Sequence, residues 1–169
     1  MRIFVPTENG YLADDYSKYA TGDNVYGGQP VTSFPISLSK LPKKTKTLAL
    51  NLIDFDAVPV SGFPWIHWVA ANFPGMTREI PADVSRTNVV PHIHGRNSNA
   101  GSLVGNTDPA VFQNYTGPFP PDKDHDYSLT VYALDTVLDL KDGFWLNDLL
   151  HQINGHVLDT ATITLRGRA

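Results

Sequence analysis

Proline and glycine interrupt this chain so often that most of its ordered segments must be short. There are thirteen of each among 169 residues, about 15% of the chain against an average near 12%. Proline removes a backbone donor and breaks helix interiors, while glycine favours turns. This pattern argues against a helical bundle and for many short strands joined by turns. A length of 169 residues suits one domain spanning residues 1–169 and leaves too little chain for two cores of normal size. No linker, repeat or low-complexity stretch suggests a cut. With 41% apolar residues the chain can fill a core, and 18% charged residues argue against disorder.

The formal net charge of -4 provides no broad cationic field for a nucleic-acid backbone or an anionic bilayer. The longest apolar runs, Trp68 to Ala71 and Val131 to Leu134, are only four residues long, whereas a spanning helix needs about 18 or more. Without cysteine there is no disulfide framework, thiol nucleophile or thiolate metal site. The opening Met1-Arg2-Ile3-Phe4-Val5-Pro6 lacks a signal-peptide core, so a cytoplasmic setting is the expectation.

Three segments read as strands. Thr47–Asp54 puts Leu48, Leu50 and Leu52 on one face, and Asp54 shares that parity. Trp65–Ala71 is aromatic and β-branched, bounded by Pro64 and by Asn72-Phe73-Pro74-Gly75, and carries His67 in its middle. Tyr127–Leu134 alternates Leu129 and Val131 against Ser128 and Thr130, with His125 just before it on the same parity. One helix of about three turns is expected from a cap at Asp142 to Asn154-Gly155, and a helical turn is expected at Asp108-Pro109. The combination reads as a β-sandwich with peripheral helices.

Asp54, His67, His125 and Tyr127 are polar groups at positions where alternation predicts burial. Such groups need partners, so the structural explanation is mutual hydrogen bonding. The chemical explanation is a ligand site: two imidazoles and a phenol can donate to an anion, and a carboxylate can fix a histidine's tautomer. An unpaired Asp54 would repel phosphate, so this reading requires it to bond a histidine or a cationic part of a ligand. Upstream, Tyr115-Thr116-Gly117-Pro118-Phe119-Pro120-Pro121 suits a rigid pocket rim on which glycine admits a ligand close to the backbone.

Taken in order, Asp54-Phe55-Asp56-Ala57-Val58-Pro59, Trp65-Ile66-His67-Trp68, Tyr115 to Pro121, His125-Asp126-Tyr127, Val131 to Asp135 and Gly155-His156-Val157-Leu158 resemble the phosphatidylethanolamine-binding proteins, in their bacterial Raf-kinase-inhibitor-like branch. The resemblance covers about Leu48 to Leu158. It implies a Greek-key β-sandwich with a small pocket for phosphate-bearing headgroups or similar anions. Carried over by position, the ligand-binding residues are Asp54, Asp56, Trp65, His67, Gly117, Pro118, His125 and Tyr127. Phe55, Val58 and Phe119 depart from the family pattern around the pocket. Asp124 and Asp126 add negative charge beside His125, which predicts weaker anion affinity or a ligand with a cationic part.

Rival readings rest on shorter signals. Leu50 to Val58 also matches the strand-then-Asp-x-Asp start of dehalogenase-like phosphatases, but that fold needs crossover helices and residues 57–134 hold nine prolines. His92-Ile93-His94 places two imidazoles on one side of an extended segment, half of a metal site without a recognisable third ligand. No Gly-x-Ser-x-Gly elbow marks a serine hydrolase. The apolar stripe from Trp145 to Ile153 is expected to cover the domain's own core, and the lysines from Lys40 to Lys46 to form a solvated turn. The expectation is therefore a non-enzymatic binding module without a cofactor, with a homodimer as the commonest closed assembly. The alternatives are a hydrolase using the Asp and His groups and a protein-interaction module with a vestigial pocket.

Overall fold

Alternation in Thr47–Asp54 builds the central strand of the molecule, and the apolar face it predicts is buried along its length. The computed structural model describes all residues from Met1 to Ala169. The strands are β1 (Arg2–Phe4), β2 (Thr7–Glu8), β3 (Tyr11–Leu12), β4 (Val25–Tyr26), β5 (Gln29–Pro30), β6 (Ile36–Ser39), β7 (Thr47–Asp54), β8 (Trp65–Pro74), β9 (Glu79–Ile80), β10 (Ile93–His94), β11 (His125–Leu134) and β12 (Val157–Gly167). Four short helices join them: α1 (Val58–Ser61), α2 (Val84–Thr87), α3 (Pro109–Phe112) and α4 (Leu146–Gln152).

The main sheet has the order β10-β8-β7-β11-β12, and a smaller sheet has the order β1-β6-β9. After the β7–β8 hairpin the chain crosses to β9 of the small sheet, comes back as the short β10 on the outer side of β8 and then returns as β11 beside β7, a Greek-key return. The pairings within both sheets are antiparallel, so the parallel crossover architecture of the phosphatase reading is absent. Ile36, Leu38 and Ile80 from the small sheet meet Leu50, Leu52, Trp68, Leu129 and Val131 from the large one in the principal core. On the opposite face Ala49, Val69, Ala71 and Leu134 are covered by Leu138, Phe144, Leu149 and Ile153. The C-terminal stripe thus packs on its own sheet.

α4 is shorter than its sequence suggests and is capped elsewhere. Gly143 adopts φ +84°, which ends any helical path from Asp142. The Asp142 carboxylate instead accepts the His94 amide, while Asp148 accepts the Trp145 amide and caps the seven-residue helix. At the expected turn, Asp108 does cap α3, accepting from Ala110 at 2.9 Å. β8 runs to Pro74 and contains two irregularities. Asn72, at φ +61°, forms one and ties the sheet to Leu138 through both side-chain polar atoms. The other leaves His67 as an extra residue, because Leu52 pairs with Trp68 and Ile53 with Ile66. No helix is long and apolar enough to cross a membrane.

Leu129 is fully buried at the centre of the principal core. Truncation in Leu129→Ala should lower unfolding free energy by about 2–5 kcal/mol. Urea denaturation would show this as a lower midpoint with an unchanged slope.

Candidate functional site

The register of the three central strands aligns Trp65, Asp54 and Tyr127 on one rung at the end of the large sheet. His125 lies two residues before Tyr127 and on the same face, where it pairs with Gly167. The irregularity in β8 adds His67 to this group, with its ring edge-on to Tyr127 at 5.0 Å between centres. Four polar side chains from three strands therefore meet where the apolar alternation ends. Asp54, His67, His125 and Tyr127 are all buried.

Both ring nitrogens of His125 contact carboxylates: Nδ1 lies 2.7 Å from Asp54 Oδ2, and Nε2 lies 2.9 Å from Asp122 Oδ1. An imidazole can satisfy two acceptors only when both nitrogens carry protons. Burial pulls the His125 pKa down, but the hydrogen bonds to Asp54 and Asp122 outweigh it and hold the net shift upward. Asp54 also accepts the Ala57 amide at 3.0 Å through its other oxygen, which fixes the turn into α1. Of the two partners expected for Asp54, a histidine or a cationic part of a ligand, the histidine is present. Asp122 is a loop residue that no periodicity brings into view.

His67 is held differently. Its Nδ1 donates to the Thr116 carbonyl at 2.8 Å, and the Thr116 amide donates back to the His67 carbonyl at 3.0 Å. Burial lowers its pKa despite that hydrogen bond and the nearby Asp54 charge. Nε2 is then the nitrogen left for a ligand. The Tyr127 hydroxyl is buried without a hydrogen-bond partner at normal distance, although the Asp54 carboxylate and the Phe119 backbone lie near enough to influence it. Burial, followed by the Asp54 charge, raises its pKa, so it remains a protonated donor.

These groups line a cavity of about 260 Å³ together with Trp65, Gly117, Thr116, Gln29, Ser61 and Asn99. Half-exposed Val60 and Phe119 stand at its mouth. Gln29 comes from the two-residue β5, Ser61 from the end of α1 and Asn99 from a single 3-10 turn at Ser98–Ala100, elements too short for alternation to mark. Buried Asn97 positions Asn99 by tying the loop to the Val111 and Asn114 carbonyls and accepting from Asn99.

Several expected positions have other roles. Asp56 is outside the cavity lining and accepts the Asp126 amide at 2.9 Å. Pro118 also lies outside the lining and packs against Gly167, where an added Cβ would come 2.9 Å from Pro118 Cβ. Gly117 lines the cavity, but its missing side chain answers a packing constraint. A Cβ there would sit 2.3 Å from the Tyr16 carbonyl oxygen. Asp124 points to Tyr11, Arg166 and the Ala169 amide, so the acidic partner added to His125 is Asp122 instead. No group of three or more His, Asp or Glu side chains is arranged to hold a metal ion.

The opposite shifts of the histidines have opposite effects on stability. The raised His125 value gives stabilisation that is complete below the unfolded value near 6.5 and lost as pH rises through the folded one. The lowered His67 and His92 values give stabilisation present above about 6.5 and lost on acidification, for His92 towards about 4. Ring NMR should therefore find His125 titrating above this reference and His67 and His92 below it. Asp122→Asn should lower the His125 value and reduce stability at pH about 6, with the difference vanishing at alkaline pH.

A model of the phosphatidylethanolamine-binding protein family matches residues 4–167. The Bacillus subtilis protein YxkA is 49% identical over 168 residues, covering 99% of each chain. Among solved structures, a phosphatidylethanolamine-binding protein homologue from Chlamydia trachomatis superposes with a TM-score of 0.75 at 27% identity, covering 94% of this chain and 90% of that one. Escherichia coli YbcL, described as a member of the mammalian family of these proteins, gives 0.76 at 24% identity over 99% and 98% of the two chains and so shares the fold. With the family model spanning almost every residue and a relative matching half of them from end to end, this chain belongs to the phosphatidylethanolamine-binding protein family.

Proposed function

We propose that the chain is a non-enzymatic binding protein, acting as one domain, whose pocket takes a small anion such as phosphate or a phosphate-bearing headgroup. The observation that carries this reading is the Tyr127 hydroxyl, a buried donor without a partner inside a cavity. Leaving such a group unsatisfied is costly, and a ligand oxygen would satisfy it. His67 Nε2 is the second contact, while Trp65, Gly117 and Asn99 shape the walls. Asp54 and Asp122 hold His125 rather than the ligand. Both nitrogens of His125 are occupied by carboxylates, which leaves His67 Nε2 as the uncommitted imidazole nitrogen of the pocket, read as a ligand contact.

The charge balance adds a condition. One imidazolium stands between two carboxylates, and His67 is driven towards its neutral form. Neutral His67 has its proton on Nδ1, directed at Thr116, so Nε2 donates to an anion only after a second proton is taken up. Alternatively, it accepts from a protonated phosphate oxygen. Either way the bound complex gains a proton, so affinity rises as pH falls. The two carboxylates also favour a ligand with a cationic amine beside its phosphate.

The test is a titration of phosphate and of phosphoethanolamine at pH about 6 and about 8, followed by histidine-ring NMR. Saturable shifts at His67, stronger at the lower pH, are expected. Tyr127→Phe should weaken binding by about tenfold or more, the value of a hydrogen bond to a charged group. Tighter phosphoethanolamine binding would identify a contribution from the amine. Absence of saturation at millimolar ligand at both pH values, or unchanged binding in Tyr127→Phe and His67→Ala, would overturn the proposal.

A further inference from the structure

His92 and His94 lie on one side of an extended segment at the edge of the large sheet, where β10 pairs with β8. Neither belongs to the pocket lining. Their ring centres are 4.3 Å apart and the planes are tilted by 54°. His92 is also stacked on Phe73, at 4.4 Å and 13°, so the core holds one member of the pair in place. Its Nδ1 donates to the Val90 carbonyl at 2.8 Å, which leaves the lone pair on Nε2.

That Nε2 is buried without a partner, and so is Nδ1 of His94. One unsatisfied buried nitrogen is a costly exception in a folded protein, and here two occur on neighbouring rings. Burial lowers the pKa of both histidines, for His92 to about 4, against the opposing charge of Asp142. Both rings are therefore neutral near pH 7, the form that ligates metals. The Asp142 carboxylate fixes the segment by accepting the His94 amide at 2.8 Å and adds negative charge beside both rings.

We infer that His92 Nε2 and His94 Nδ1 form a two-nitrogen site for a divalent transition-metal ion, with water completing the coordination. The carrying observation is the pair of unpartnered nitrogens on adjacent rings, one of them held in place by the stack on Phe73. Among first-row divalent ions Cu²⁺ binds such a nitrogen pair most tightly, so it is the ion expected to occupy the site first.

The experiment titrates untagged protein with Cu²⁺ and records the electron paramagnetic resonance spectrum of the one-equivalent complex. The expected spectrum shows coupling to two imidazole nitrogens. His94→Asn should weaken binding at least about tenfold and remove that pattern. His92→Phe keeps an aromatic ring against Phe73 and should do the same, so the proposal stands on two independent variants. His151→Ala, at an exposed position, should leave the spectrum unchanged. Persistence of the two-nitrogen pattern in both His94→Asn and His92→Phe, or wild-type affinity no greater than that of those variants, would overturn the assignment. Circular dichroism of each variant separates loss of a ligand from loss of fold.

Discussion

The pairing register of β7 with both its neighbours is the constraint on which the rest of the molecule depends. It places Trp65, Asp54 and Tyr127 on a common rung, with Leu52 and Leu129 paired two residues further along. Because side chains alternate between faces, a slip of one residue would turn Leu48, Leu50 and Leu52 away from the principal core and take Asp54 from His125 in the same movement. Core and pocket are thus specified together. The apolar contacts select the register, and the polar cluster occupies the end of the sheet where those contacts stop.

Within that cluster, neighbouring histidines have different chemical characters because their partners differ. His125 meets two carboxylates and is held as a cation, whereas His67 meets a backbone carbonyl and is pressed towards neutrality. Tyr127 stands beside both rings with an unused hydroxyl. A cation shielded by acids does little to attract an anion, so any attraction depends on the groups left unsatisfied. This division of roles makes hydrogen bonding more important than net charge in the proposed pocket.

Much of this was legible from strand alternation. Leu48, Leu50 and Leu52 announced a buried face, and Asp54, His125 and Tyr127 were conspicuous because they were polar on such a face. His67 was visible as a polar residue in an apolar strand, but the irregularity that turns it towards Tyr127 depends on pairing with β7 and has no local signature. Asp122 reaches His125 from a loop, and Gln29, Ser61 and Asn99 reach the cavity from elements of two to four residues, too short for a period to link sequence position to direction. The misplaced cap at Asp142 has the same origin. A good capping residue was recognised, but Gly143 and the distant His94 amide decided what it would bond. Gly117 and Pro118 looked like parts of a ligand rim, while the neighbours that explain them are Tyr16 and Gly167.

β12 is an eleven-residue strand with β11 as its sole neighbour in the sheet, whereas the opposite edge is the two-residue β10. Its sequence contains Thr160, Thr162, Ile163 and Thr164, β-branched residues that favour extended pairing. A long edge of that kind is a template for another chain unless something disfavours the approach. Here the N-terminal segment reaches the strand at two places, with the terminal amine on Asp159 and the Tyr11 ring under Arg166. Both charges are partnered within the fold, Asp159 by the N-terminal segment and Arg166 by Asp124, and β1 and β3 lie against the strand. The first dozen residues thus act as a partial cover for an edge that would otherwise be open to another chain, far from the chemistry of the pocket.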